Sequence, residues 1–331
     1  VIPAVQEYVR RHGLTPLPSG PSLQDYAGLA GHGWLDSRIR EGNRFRHALW
    51  TENSFGAHQA ADAPMYMDWL AERTTDAALA GRLTQTARDA IAAVPPAQRS
   101  SALVSHVHFP SAALVYGPVL ANVQQAAAIA RQQLGRFNAE GNVIYRARPD
   151  GPDFASTHWS RDANGLAAPV VAALLESAVF SGNRELVEQG LARLRGLARY
   201  RDTVPRGAQT WEIPLHTPDI LASAYLVRAY ALGYELTGEP ELLEQARYWA
   251  WTGVPFVYLA NPTPGPIGHY ATTPVLGATH WVAPVWIGLP VQWCGLVYAD
   301  ALNRLAPHDP QGPWRQLAKG ITITGIQMSW P

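Results

Sequence analysis

The chain has 331 residues, of which 47% are hydrophobic and 16% are charged, and its 26 basic and 26 acidic residues balance. A net charge of zero offers no positive field to a phosphate backbone, which argues against nucleic-acid binding, and the hydrophobic fraction is too high for a disordered chain. The single cysteine excludes an internal disulfide and a thiolate zinc cluster. No apolar run is expected to reach the roughly 18 residues that cross a bilayer, so no membrane segment is predicted.

Hydrophobic spacing predicts a series of helices joined in pairs by short turns. Pro218 is expected at the first position of the clearest helix, with Thr217 as its N-cap, Asp219 at the positive end of its dipole and Gly238 just after its end. In chain order the predicted helices cover residues 64–73, 76–93, 116–134, 164–180, 184–200, 218–237, 239–251, 290–305 and 313–320.

The helical hairpin is repeated along the chain. Residues 181–190 align with residues 237–246, and the identical positions in the first copy are Gly182, Glu185, Leu186, Glu188 and Gln189. Repeats of about 20 to 50 residues are typical of solenoids and of closed rings of hairpins.

A second repetition concerns the loops before successive hairpins, which are rich in His, Trp and acidic side chains. The 12 Trp, 13 Tyr and 11 His of the chain exceed what a core requires. If alternate helices form an inner and an outer layer, these loops emerge at one end and line a common cavity. The loops are 52–62, 105–110, 157–163, 209–219 and 277–288.

The hairpin Tyr-Glu-Leu-Thr-Gly-Glu-Pro-Glu-Leu-Leu-Glu-Gln-Ala-Arg over residues 234–247 resembles those of the six-hairpin glycosidase-like superfamily. The resemblance covers most of residues 50 to 320. It implies an all-α fold, an (α/α)6-like toroid of αα-hairpins, and a carbohydrate-active enzyme. Five hairpins are predicted, and a sixth is expected in residues 1–40 or beyond residue 331. We therefore expect a single toroid domain over 1–331 that is a fragment of a larger protein.

Hydrolysis of a glycosidic bond requires two carboxyl groups at the cavity, one protonated and one ionised. The loops supply four candidates. Glu212 is the predicted general acid, because an apolar and aromatic setting beside Trp211 favours the protonated form. Asp162 is the predicted base that activates water, although it precedes a helix and is also suited to an N-cap. Asp62 and Asp219 have similar capping interpretations.

The loop histidines leave a second reaction open. By the same resemblance, a polysaccharide lyase or a sugar epimerase abstracts a proton beside a uronate carboxyl with a Tyr or His base, and neutralises the carboxyl with Arg, Asn or a metal. His216 is the leading candidate for that base. A third reading is a non-catalytic carbohydrate-binding module. Further candidates for the elimination are Tyr116, Tyr270, Arg146, Arg148 and Arg161.

Sugar binding is predicted for further loop residues, because a pyranose packs its C–H face on an indole ring and an arginine fork matches a carboxylate. Oligosaccharides or polysaccharides that contain uronic acid are the preferred substrates. No metal or other cofactor is predicted, since the glycine-containing loops lack the context of a nucleotide site and His106 has no carboxylate partner fixed by the sequence. The predicted binding residues are His108, His158, Trp159, Arg161, Trp211, Asp219, Tyr270, His280, Trp281 and Trp286, with Trp293 and the pair Arg44 and Arg46 as additional candidates.

Overall fold

The computed structural model describes residues 1–49, 55–106, 111–157, 159–261, 264, 268–276 and 290–329. Within these residues the secondary structure is almost entirely helical, which confirms the predicted all-α class. The helices are α1 (Ile2–His12), α2 (Leu23–Asp36), α3 (Ala63–Ala71), α4 (Ala77–Ala93), α5 (Ser111–Tyr116), α6 (Val119–Leu134), α7 (Asn164–Ser181), α8 (Arg184–Gly196), α9 (Ile220–Thr237), α10 (Pro240–Gly253), α11 (Gln292–Leu305) and α12 (Trp314–Gln327). Strands β1 (Arg40–Glu41) and β2 (Arg44–Phe45) form a short antiparallel pair.

The chain forms two compact units. The large unit contains Val1–Gly20, Arg131–Leu175 and Glu185–Met328. The small unit contains Pro21–Ala130 and Glu176–Arg184. Each unit has its own hydrophobic core. The expectation of one toroid domain over residues 1–331 stays a prediction.

The core of the large unit is built around α9. Nearly every residue of α9 from 220 to 233 is buried, as expected for a helix that is apolar on all sides. Helices α10 and α11 pack against it, and α12 packs against α11. The close approach of α8 to α9 depends on Gly233, where an added Cβ would lie 2.1 Å from the Cδ2 of Leu194.

Helix α7 corrects one expectation from the sequence. By length and composition alone it is apolar enough to cross a membrane, whereas no such run was predicted. More than half of the helix is buried, with Ala167, Val171 and Leu175 in the core of the large unit. A core helix of a compact unit passes the same test, and the burial of α7 fits that description.

The predicted helix boundaries are confirmed in part. Gly238 ends α9 in the left-handed conformation, as predicted, with φ 69°. The predicted N-cap is wrong: Asp219, not Thr217, caps α9, and its side chain accepts a hydrogen bond from the backbone N–H of Ala222 at 2.7 Å. Helix α12 continues beyond residue 320 to Gln327, and its later turns bury Ile321 and Thr324.

The small unit packs α2, α3 and α4 together around Phe45. The ring of Trp34 meets Phe45 edge-on at 5.6 Å and stacks on Tyr66 at 6.0 Å. Asp62, one of the four candidate carboxylates, is buried, and its oxygens accept hydrogen bonds from the backbone N–H groups of residues 103–105 at 2.9 to 3.1 Å. These three bonds make Asp62 a brace for the loop after α4.

Candidate active site

Isolated backbone bridges hold the loops of the large unit against one another at the start of α7 and of α9. They join residues that lie far apart in the chain, so each loop is positioned by a partner from another segment. Two of the predicted site residues, Asp162 and Asp219, each belong to one of these bridges. The bridged pairs are Ile144 with Asp162, Arg206 with Pro218, and Asp219 with Val275.

Asp162 is held by hydrogen bonds and is not the N-cap of α7, which begins at Asn164. The Tyr200 hydroxyl donates a hydrogen bond to Asp162 Oδ2. Burial acts to raise the pKa of the carboxyl, but the hydrogen bonds from Tyr200 and Ser160 and the nearby charge of Arg199 outweigh it, so the pKa lies below its usual value. Asp162 is therefore ionised at neutral pH, as a catalytic base must be.

His216 lies between two partners that together define its tautomer. Arg206 Nε donates a hydrogen bond to His216 Nδ1 at 2.9 Å, so that nitrogen carries no proton. His216 Nε2 then carries the proton and donates to the carbonyl oxygen of Ser160 at 3.0 Å. For His216 to act as a base through Nδ1, it must first give up the hydrogen bond from Arg206.

Arg206 and Tyr200 were not among the predicted site residues. Arg206 donates to His216, and the charge of Asp162 acts to raise the pKa of its guanidinium against the effect of burial. Its Nη1 atom is buried and has no hydrogen-bond partner in the described ranges. Arg206 could have been noticed in the sequence because it lies just before the predicted loop 209–219. Tyr200 could not, because it reaches Asp162 from the short 3-10 turn after α8.

Glu212 lies beside an aromatic pair. The indole Nε1 of Trp211 donates to Glu212 Oε1 at 2.9 Å, and the Trp211 ring, 42% exposed, lies 6.3 Å from the ring of Trp293 at a tilt of 30°. Cys294, which follows Trp293 in the chain, is fully buried. Burial raises the pKa of its thiol, and the charges of Asp219 and Glu212 raise it further.

Asp219 and Tyr270, two predicted sugar ligands, are fully buried. Besides capping α9, the Asp219 carboxylate accepts a hydrogen bond from the N–H of Ala208 at 2.9 Å. Burial raises the pKa of Asp219 to about 6. The Tyr270 hydroxyl donates to the carbonyl oxygen of Thr15, and its ring packs against Gly320. In these positions both side chains support the loops.

Trp159 and Arg161 are exposed. Trp159 is 57% exposed, and its ring meets the His216 ring edge-on at 5.2 Å. Arg161 forms a two-pronged ion pair with Asp153, with both N–O distances 2.9 Å. Its guanidinium is thus already paired with a carboxylate of the same loop region.

Several predictions fall outside the described residues. They are His108, His158, His280, Trp281 and Trp286, and with them the whole of the loop 277–288. Among the residues that are described, no group of three or more His, Cys, Asp and Glu side chains is arranged to hold a metal ion.

No protein-family model and no curated protein sequence matches this chain. Among solved structures it is similar to the crystal structure of an unsaturated glucuronyl hydrolase specific for heparin, with a TM-score of 0.56 and 13% sequence identity. The similarity covers 93% of this chain and 85% of that chain. At this identity the likeness shows the fold alone. The predicted fold class, an all-α arrangement of helical hairpins similar to that structure, is confirmed at that level.

Proposed function

We propose that the protein is a glycoside hydrolase that acts on oligosaccharides containing uronic acid. The observation that carries the proposal is a pair of loop carboxyl groups, Asp162 before α7 and Glu212 before α9, each with an exposed tryptophan close to it in the chain. Two carboxyl groups and an aromatic surface are what hydrolysis of a glycosidic bond requires.

Asp162 is the base in this proposal. Its lowered pKa keeps the carboxylate ionised, and the Tyr200 hydroxyl orients one of its oxygens. A carboxylate held in this way accepts a proton from water as the water attacks the anomeric carbon.

Glu212 is the acid that donates a proton to the leaving oxygen. The indole N–H of Trp211 donates a hydrogen bond to Glu212 Oε1 at 2.9 Å. This bond orients the carboxyl group relative to the indole ring, which is the proposed sugar-binding surface. For direct displacement, the two carboxyl groups should lie about 6.5 to 9.5 Å apart in the substrate complex, because a water molecule must fit between the base and the sugar.

The acidic nature of the substrate is supported by Arg206. Its guanidinium interacts electrostatically with Asp162, and its Nη1 has no hydrogen-bond partner among the described residues. A sugar carboxylate is an acceptor suited to a guanidinium fork. Arg161, the predicted carboxylate ligand, already binds Asp153. The similar solved structure is a glucuronyl hydrolase, which agrees with an acidic sugar as the substrate.

The alternative of β-elimination has weaker support among the described residues. His216 already accepts a hydrogen bond at Nδ1. Burial, followed by the bond to Asp68, raises the pKa of Tyr116 far above its ordinary value, and burial also raises that of Tyr270. A tyrosine acts as a base only when its phenol is ionised, and a raised pKa keeps the phenol protonated near neutral pH. Hydrolysis is therefore the reading that we propose.

Ultraviolet absorbance and reducing-end assays test the proposal together. Oligosaccharides with an unsaturated glucuronyl end should release that sugar by cleavage at its anomeric carbon, so that reducing ends appear. The absorbance should then fall, because the released ring opens and its C5 enol becomes a ketone. Intact uronate polymers should give reducing ends, if cleaved, without new absorbance. New absorbance would identify a lyase, and binding with neither signal would identify a non-catalytic module.

Glu212→Gln provides the residue-level test. The variant keeps the shape and an acceptor for Trp211 but cannot donate the carboxylic proton, and general acid–base groups contribute about 10²- to 10⁴-fold. We expect a loss of that order. Glu241→Gln is the matched control, because Glu241 is an exposed glutamate in the first turn of α10. Full activity in Glu212→Gln would show that the acid is a different group.

A further inference from the structure

The small unit carries a groove that the proposed reaction does not use. Its volume is about 610 Å³, and it is bounded by the second half of α2, the residues around β2 and Val104. Leu29, Ala30 and Ile39 contribute apolar surface, while Arg46 and His47 contribute polar groups. Such a mixture of an apolar wall with a few polar groups is typical of small-molecule sites.

Arg46 has hydrogen-bonding capacity left over in this groove. Its Nη2 donates to Glu41 Oε2 at 2.6 Å, whereas its Nη1 is buried and has no partner in the part of the chain that the structure describes. The side chain is only 16% exposed. A buried guanidinium N–H without an acceptor is unfavourable, and a carboxylate is the acceptor that best matches it.

His47 adds an acceptor of its own. Its Nδ1 lies 3.3 Å from the carbonyl oxygen of Val104, which can only accept, so Nδ1 carries the proton and Nε2 of the neutral ring accepts. The rings of His106, at 4.4 Å, and Phe55, at 5.7 Å, pack edge-on against His47 and fix its orientation. The groove thus combines a donor suited to a carboxylate with an acceptor suited to a hydroxyl.

The remaining members of the groove complete this chemistry. Trp34 also lines the groove. Asp36, the acidic residue of the lining, is paired with Arg82 and with His32 Nδ1, the latter at 2.8 Å. Asp36 has a cationic partner of its own in Arg82, whereas Glu41 is paired with Arg46, so a ligand carboxylate would share the Arg46 guanidinium with Glu41.

We propose that this groove binds an acidic monosaccharide unit, a pyranose with one carboxylate. The carboxylate binds Arg46, a ring hydroxyl donates to His47 Nε2, and the C–H face packs on Trp34. The site goes beyond the proposed hydrolysis, because it lies within the small unit and requires neither Glu212 nor Asp162.

Isothermal titration calorimetry of the full chain with D-glucuronate tests this site. Arg46→Gln removes the charged donor and should weaken the binding at least about tenfold. Arg88→Gln is the matched control, since Arg88 is an exposed arginine of α4 in the same unit that does not line the groove, and it should bind like the wild type. The same contrast is expected in a Glu212→Gln background, which separates this groove from the proposed active site.

Two further measurements keep the proposal falsifiable. Arg46→Lys preserves a positive charge should Arg46→Gln fail to fold, as judged by circular dichroism, and it should still weaken binding because the guanidinium fork is lost. Neutral methyl glucoside and acetate should each bind at least about tenfold more weakly than glucuronate. Equal binding by Arg88→Gln and both Arg46 variants would overturn the site. Binding of acetate or methyl glucoside as tight as that of glucuronate would overturn its specificity for a sugar acid.

Discussion

Asp219→Asn is expected to change how the stability of the protein depends on pH. Burial raises the pKa of the Asp219 carboxyl from its ordinary value of 3.8 to about 6 in the folded chain. Between these values the folded chain holds a proton that the unfolded chain has released. The stabilisation from this proton is therefore present at low pH and is lost as the pH rises through about 6.

The magnitude follows from the two pKa values. Across the whole titration the lost stability is about 3 kcal/mol, because a difference of one unit in pKa corresponds to about 1.36 kcal/mol. Between about pH 5 and about pH 7 the part that is lost is about 1.3 kcal/mol. Asparagine has a similar shape and does not titrate, so the free energy of unfolding of the wild type, minus that of Asp219→Asn, should fall by this amount.

Urea denaturation at the two pH values, followed by circular dichroism, measures the difference. Asp153→Asn is the matched control. The hydrogen bond from Arg161 lowers the pKa of Asp153, so this carboxyl is ionised in both states throughout the range, and its substitution should cost the same at each pH. If Asp219→Asn also shows a constant difference, the buried carboxyl does not hold its proton to higher pH and the reasoning is refuted.

Three further substitutions address the candidate active site. Tyr200→Phe removes the hydroxyl that donates to Asp162, so the pKa of Asp162 should rise and the acidic limb of the kcat/KM profile should move to higher pH. Gly165→Ala would bring a Cβ to 2.5 Å from a backbone atom of residues 206–208, which should cost about 1–3 kcal/mol in urea denaturation and lower the activity. Trp211→Ala should raise KM by about 2- to 12-fold in steady-state kinetics as the stacking surface is lost.

Each of these substitutions has a control and a contradicting outcome. Tyr230→Phe removes a buried hydroxyl that has no partner within the described residues, so it should leave the pH profile unchanged. An equal shift in Tyr200→Phe and Tyr230→Phe would show that the acidic limb does not report the pKa of Asp162. Gly81→Ala, at a helix position with open space around it, should be well tolerated; similar losses at both glycines would contradict the crowding argument. Trp211→Phe keeps an aromatic ring, so a KM as high as that of Trp211→Ala would contradict stacking.

The pairing of helices could be predicted where short-range signals agreed. The hairpin of α9 and α10 has hydrophobic spacing, a glycine with positive φ at position 238 and a proline at the start of the second helix, all of which are local. Helix α7 was predicted with almost the correct limits for the same reason, but its burial was not. A helix that packs on several neighbours has no polar face, and its sequence then looks like that of a membrane span.

The candidate site was predictable only as a set of loops. Loop histidines, tryptophans and carboxylates were visible, but their partners come from distant segments. Tyr200 reaches Asp162 across 38 residues, and Arg206 forms a bridge with Pro218. Likewise, Asp219 forms a bridge with the distant Val275, and its carboxylate is buried. Such pairings depend on the three-dimensional path of the chain, which a single sequence does not reveal.

The position of Cys294 allows local opening of the protein to be measured by thiol labelling. It is the single cysteine of the chain, it is fully buried near Gln209, and it follows Trp293 in the first turn of α11. A thiol reagent can reach it only when the surrounding segments separate, so the rate of modification under native conditions measures how often they do so. Labelling at this one sulfur therefore gives the opening free energy beside Glu212 without any engineered probe.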